Sequence, residues 1–165
     1  MILIGLGANL ESKYGTPEQA LRQCKILLNT HNTEVSSFSS IWKSAPVPIS
    51  DQPWYYNAAC QLKTQLQPLE LYQMLAEIEQ NTGRLREKRN EARVLDLDIL
   101  AYNDVIMAGN FILPHPRMHQ RAFVLYPLQE IAPNWIHPVT NQNIPDMMKM
   151  LPAGQEIEKV GRASQ

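Results

Sequence analysis

The chain has 165 residues, 44% hydrophobic and 19% charged, the size and composition of one globular domain, spanning residues 1–165, with a core of its own. A formal net charge of −1 and 7% aromatic residues argue against a global field for nucleic-acid or membrane-surface binding, so any phosphate-binding charge must be local. The opening run MILIGLGANL is too short to span a bilayer, lacks a basic leader and a cleavage site, and so predicts a cytoplasmic protein.

In chain order, MILIGLG reads as a strand ending in a glycine-containing loop. TPEQALRQCKILLNT then opens a helix with Thr16 as N-cap, Pro17 in the first turn, and an apolar stripe of Ala20, Leu21, Cys24, Leu27 and Leu28. Alternation from Glu34 to Trp42 predicts one strand, followed by KSAPVPISDQP, whose prolines exclude a regular helix or a central strand and give a loop with fixed bends. WYYNAACQLKT resumes strand character. QPLELYQMLAEIEQNTG is a helix with Pro68 near its start, Leu71, Leu75 and Ile78 on one face, and Gly83 as its stop. After RVLDLDILAY, Asn103 and Asp104 mark a turn and VIM a short return strand. RAFVLYPLQEIAP is a brief helix ended by Pro133, and the tail gives a short helix and then a fraying end. The order of strands and helices matches an α+β, ferredoxin-like antiparallel sheet with helices on one face and a C-terminal extension covering more of it.

Cys24 and Cys60 fall on an apolar helix stripe and within a strand, without metal or redox spacing, and read as structural thiols. The strand RVLDLDIL is the first chemical signal: Leu95, Leu97 and Ile99 share one face, and Val94, Asp96, Asp98 and Leu100 the other. Residues two apart on a strand have Cα atoms roughly 6.5–7 Å apart, so the two carboxylates can converge on Mg²⁺; they can equally be a solvated face. The preceding GRLREKRNEAR is either a solvated run or a source of phosphate donors beside that pair. In LPHPRMHQRAF, His115, Arg117, His119 and Arg121 fit phosphate donors or a plain surface loop better than a zinc site. DQPWYYNAA sets aromatics beside Asn57, suited to a planar heterocycle or to core packing. GLGANL lacks the third glycine of a dinucleotide fingerprint, and no P-loop occurs.

Taken together, GLGANL, DQPWYYNAA, RVLDLDIL, LPHPRMHQRAFVLYPL and EIAP, in this order up to about Pro133, resemble the 6-hydroxymethyl-7,8-dihydropterin pyrophosphokinases of folate biosynthesis. The resemblance implies in-line transfer of the β,γ-pyrophosphoryl unit of ATP to the pterin hydroxymethyl group, with release of AMP and no covalent intermediate. It implies that Asp96 and Asp98 hold two Mg²⁺ ions, and that Arg84 and Arg93 join them as catalytic residues. It places Glu79, Arg84, Arg86, Arg93, Ile99, His115 and Arg121 at ATP. For the pterin it implies stacking by Tyr55 and Phe123, edge recognition by Asn57, contact with Asp96, and pairing with the backbone of the loop Ser44, Ala45, Pro46, Val47. Two departures stand out: RNEAR puts Asn90 near a Trp common in the family and is one residue shorter, and Pro116 replaces an aromatic. A monomer without nucleic-acid or membrane partners is expected. The competing readings are a ferredoxin-like binding module without turnover and another DxD transferase, the latter lacking room for a nucleotide-sugar domain in 165 residues.

Overall fold

The computed structural model describes residues 1–83 and 92–161. Strand β1 (Ile2–Ala8) alternates cleanly: Ile2, Ile4, Leu6 and Ala8 enter one core cluster, while Leu3 enters a second on the opposite face. Helix α1 (Pro17–Leu27) starts where the sequence predicts, because the Thr16 hydroxyl accepts from the Gln19 amide (3.3 Å) and the Gln19 side chain accepts from the Thr16 amide (2.9 Å). It buries Ala20, Leu21 and Cys24. Both cysteines are free and buried, and burial pushes the Cys24 thiol up to about 12, in keeping with an inert packing role.

The expected single strand from Glu34 to Trp42 is two, β2 (Thr33–Phe38) and β3 (Ile41–Ser44), both antiparallel to the long β4 (Tyr55–Thr64). The break at Ser39 and Ser40 is made by hydrogen bonds that periodicity does not reveal. The Ser39 hydroxyl accepts from the Ala59 amide (2.9 Å), and the Ser40 amide donates to the Glu130 carboxylate (2.7 Å). Helix α2 (Pro68–Thr82) ends at Gly83 with φ 107°, the left-handed cap that glycine adopts without a Cβ penalty. Strand β5 (Asp96–Tyr102) pairs with β1, with a register shift opposite Leu3 and Ile4.

The return strand expected at VIM is absent as a strand: Met107 forms only an isolated bridge to Leu113. Helix α3 (Ala122–Ile131) carries Pro127 inside, and α4 (Ile144–Lys149) begins at an Asn143 cap whose side chain accepts from the Asp146 amide (2.8 Å). The tail corrects the expected fraying end, because β6 (Ile157–Gly161) pairs antiparallel with β3.

The sheet order is β5-β1-β4-β3-β6, with β2 beside the other half of β4. Helices α1 and α2 cover one face, and α3 and α4 the other, so the C-terminal part adds a third layer. Fully buried Leu21, Leu71, Leu75 and Leu125 anchor these layers, each contributing roughly 1.5–3 kcal/mol by removal from water. No helix among the described residues is long and apolar enough to cross a membrane.

Candidate active site

The α3 layer covers only part of its face. Where it stops, β1 carries Gly5 and Gly7, and the floor of a cleft of about 730 Å³ is left open. A Cβ on Gly5 would lie 3.2 Å from the Leu100 side chain, so glycine there lets Leu100 pack across β1. Asp96 and Asp98 project from β5 into this cleft on the face predicted from their spacing, while Leu97 and Ile99 point into the core behind them. Ile99 is therefore not part of the cleft lining: its side chain packs on the opposite face, which leaves only its backbone for any ligand contact.

The carboxylate pair is held from three sides. Glu79 of α2, 3% exposed, accepts the Leu97 amide at 2.7 Å, pinning the strand between the two aspartates while itself bordering the cleft. Arg93 pairs with Asp96. His115 stands beside β5 because its amide donates to the Leu100 carbonyl (2.8 Å). Asp98 lies opposite Gly5 in the β1–β5 pairing, and its carboxylate makes no hydrogen bond or ion pair among the described residues. Burial first, and then the neighbouring Asp96 carboxylate, push its carboxyl up to about 6.

His115, Arg117 and Arg121 line the same cleft. Burial, followed by the charges of Arg121 and Arg117, pushes His115 down to about 4, so its ring is neutral near pH 7. Its Nδ1 accepts from the Arg117 amide (3.2 Å), which assigns the proton to Nε2 and makes that atom a donor. Burial and Arg117 lower Arg121 from its ordinary value. Arg84 and Arg86 lie outside the described residues.

The opposite wall is the proline-bent loop after β3. Ser44, Ala45, Pro46 and Val47 line the cleft, and facing them are Tyr55 at the start of β4 and Phe123 in the first turn of α3. Asn57, 3% exposed, donates from Nδ2 to Ser44 Oγ (2.9 Å) and to the Tyr55 carbonyl (3.4 Å). Its Oδ1 would lie 3.6 Å from a Cβ on Gly7, so this acceptor faces the glycine-floored space. The Tyr55 hydroxyl donates to Gln52 Oε1 (3.0 Å).

Asn9 and Tyr72 were not singled out in the sequence. Asn9, 4% exposed, accepts the Arg93 amide on Oδ1 (2.6 Å) and donates from Nδ2 to the Pro53 carbonyl (3.0 Å) and to Gln52 (3.4 Å). One carboxamide thus ties the residue leading into β5 to the proline-bent loop. Arg117, one of the candidate phosphate donors of LPHPRMHQRAF, borders the cleft, as does Tyr72, packed on Phe111 with ring centroids 5.3 Å apart and outside the apolar stripe of its helix. The GLGANL motif is the one sequence signal that contains Asn9.

A cleft that combines two neighbouring carboxylates, guanidinium and imidazole donors, and two aromatic walls suits a planar heterocycle on one side and a polyanion on the other. The family model for 7,8-dihydro-6-hydroxymethylpterin-pyrophosphokinase matches residues 3–133. A Haemophilus influenzae 2-amino-4-hydroxy-6-hydroxymethyldihydropteridine pyrophosphokinase is 42% identical over 147 residues, covering 88% of this chain and 89% of that protein. The Dictyostelium discoideum folic acid synthesis protein FOL1 is 35% identical over 161 residues, which cover 97% of this chain but only 24% of that longer protein. Among solved structures, a Plasmodium falciparum HPPK-DHPS triple mutant with STZ-DHP superposes with a TM-score of 0.73 at 14% identity, over 90% of this chain and 42% of that one, a likeness of fold. On the profile match over residues 3–133 and the 42% identity to a relative covered over 89% of its length, the chain belongs to the 7,8-dihydro-6-hydroxymethylpterin-pyrophosphokinase family.

Proposed function

We propose that this cleft transfers the β,γ-pyrophosphoryl unit of ATP to the hydroxymethyl group of 6-hydroxymethyl-7,8-dihydropterin, giving the pterin diphosphate and AMP. The observation that carries the reading is the convergence, in one cleft, of Asp96 and Asp98 with Arg93, His115 and Arg121 on one side and Tyr55, Asn57 and Phe123 on the other.

The pterin ring lies between Tyr55 and Phe123, the Asn57 Oδ1 accepts from its amino edge, and the backbone from Ser44 to Val47 completes the edge recognition. The triphosphate lies toward Arg93, His115 and Arg121, where Nε2 of the neutral His115 donates and the guanidinium groups meet the charge that grows on the departing AMP phosphate. Held this way, the pterin hydroxyl oxygen attacks the β-phosphorus in line with the departing α-phosphate oxygen.

The donor chemistry fits divalent magnesium: two carboxylates on one strand face, one of them with its pKa raised by burial and then by its neighbour, form an oxygen-only set that leaves room for phosphate oxygens and water. Asp96 and Asp98 would hold two Mg²⁺ ions, which when bound neutralise the triphosphate and lower the pKa of the attacking hydroxyl. Asp96 is shared in this reading, paired to Arg93 and bordering the pterin side.

Incubation with Mg²⁺, ATP and 6-hydroxymethyl-7,8-dihydropterin, followed by chromatography of the adenine nucleotides, tests the reading. AMP formed only when pterin is present is the expected result. ADP in its place would point to single-phosphoryl transfer, and no nucleotide turnover with intact pterin binding would leave a binding module.

A further inference from the structure

Helix α3 presents two cleft residues from its very start, Arg121 at the N-cap and Phe123 in the first turn. That position is costly by local rules. A helix N-terminus leaves amides without intrahelical acceptors, and Arg121 supplies no side-chain acceptor to cap them. A cation there also opposes the helix dipole. The missing acceptor comes from far along the chain: the Ala122 amide donates to Gln155 Oε1 at 2.9 Å. The same carboxamide donates from Nε2 to the Gln120 carbonyl at 2.8 Å. Gln155 therefore grips the backbone on both sides of Arg121.

The residue next to it grips the other wall. The Glu156 carbonyl accepts the Ala45 amide (3.1 Å), and from Ile157 onward β6 continues as a strand partner of β3, with Ile157 opposite Ser44. The segment is itself anchored, since Lys159 pairs with Glu130 (2.9 Å), the carboxylate that also accepts from the Ser40 amide and the Trp42 indole. Two consecutive residues thus bridge the Ser44 to Val47 loop and the Arg121–Phe123 corner. Both lie beyond the stretch matched by the family model.

We propose that Gln155 is a positioning residue for the transfer reaction, a cap supplied from the C-terminal segment that sets where Arg121 and Phe123 stand relative to the Ser44 to Val47 loop. The functional half of this inference rests on the pyrophosphokinase reading of the cleft; the structural half does not.

The test uses the full chain with Gln155→Leu, which removes the bonds to Ala122 and Gln120 and a longer one to the Pro152 carbonyl (3.5 Å), and Gln155→Glu, which keeps the acceptor for Ala122 but loses the donor to the Gln120 carbonyl. Amide hydrogen exchange, read by mass spectrometry, reports the cap without any turnover. Steady-state AMP formation reports KM for 6-hydroxymethyl-7,8-dihydropterin and ATP. In Gln155→Leu, exchange over 120–124 accelerates and KM for both substrates rises roughly three- to tenfold, while Gln155→Glu recovers only the part of the loss that depends on the Ala122 bond. Unchanged exchange over 120–124 would overturn the cap. Faster exchange with wild-type KM values, the loss appearing only in melting temperature, would overturn the positioning role. If Gln155→Leu does not fold, Gln155→Asn, one methylene too short to reach both partners, is read by the same two criteria. Absence of AMP from the wild-type protein would instead sink the pyrophosphokinase reading and the functional half with it, with exchange still deciding the cap.

Discussion

The two faces of β5 obey opposite rules within seven residues. Behind the strand, Leu97 and Ile99 join a closed apolar cluster with Leu71 and Leu75, where every methyl group adds to stability. In front, Asp96 and Asp98 set two carboxylates side by side in a partly buried cleft, an arrangement that costs stability and that the proposed reading fills with a cation and a phosphate chain. In the proposed reading, one strand therefore carries both the fold and the chemistry, separated only by the direction of alternate side chains.

Substitutions on the two faces should fail in different ways. The largest effect is expected at the front, where Asp96→Ala lowers the rate of AMP formation by roughly 10³-fold or more with pterin affinity changed only a few-fold, as steady-state kinetics and pterin titration will record. Behind the strand, Ile99→Ala costs about 2–5 kcal/mol in urea unfolding, because its side chain lies in the core. The Asn9 bridge sits between these extremes. Asn9→Ala leaves the Arg93 amide without its acceptor and releases the Pro53 and Gln52 contacts. It should cost about 1–3 kcal/mol and lower kcat/KM roughly tenfold, both measured on one preparation.

A smaller effect sharpens the contrast through pH. His115 is held neutral down to about 4, below its ordinary 6.5, so the unfolded chain takes up this proton first. The stability it contributes is fully present above about 6.5 and is lost as pH falls toward 4. His115→Gln should flatten that acid-side decline in chemical denaturation by about 1–2 kcal/mol, allowing for solvent screening in the open cleft.

What the sequence revealed depended on whether a signal was local. Helix α1 announced itself through Thr16 and Pro17, α2 through Gly83, and the aspartate pair through strict alternation, because each is decided within a few residues. The break at Ser39 and Ser40 depends on Ala59 and Glu130, and β6 depends on a β3 edge more than 100 residues earlier in the chain, so neither leaves a period to read. VIM was apolar enough for a strand but found no partner beyond one bridge. Of the residues carried by a family motif, Asn57, Asp96, Asp98, His115 and Arg121 line one cleft, Ile99 packs behind it, and Arg84 and Arg86 lie outside the described residues. Those acting through backbone groups of distant segments, Asn9 and Gln155, were legible only once the chain was folded.

The comparison between the faces of β5 is tested most directly on Asp98→Asn, with metal-free melting temperature and AMP formation measured on the same sample. Because the folded-state pKa of Asp98 is raised to about 6 from 3.8, the folded chain holds its proton more tightly than the unfolded chain. The penalty for ionising it is absent below about 3.8, develops as pH rises through 6, and is complete above. At pH 8 the variant should melt higher than wild type by about 3–8 °C, a gap that closes toward pH 4, while AMP formation falls by roughly 10³-fold. A variant that melts lower than wild type at pH 8, or turns over within about tenfold of it, would contradict the assignment of this face to chemistry at the expense of stability.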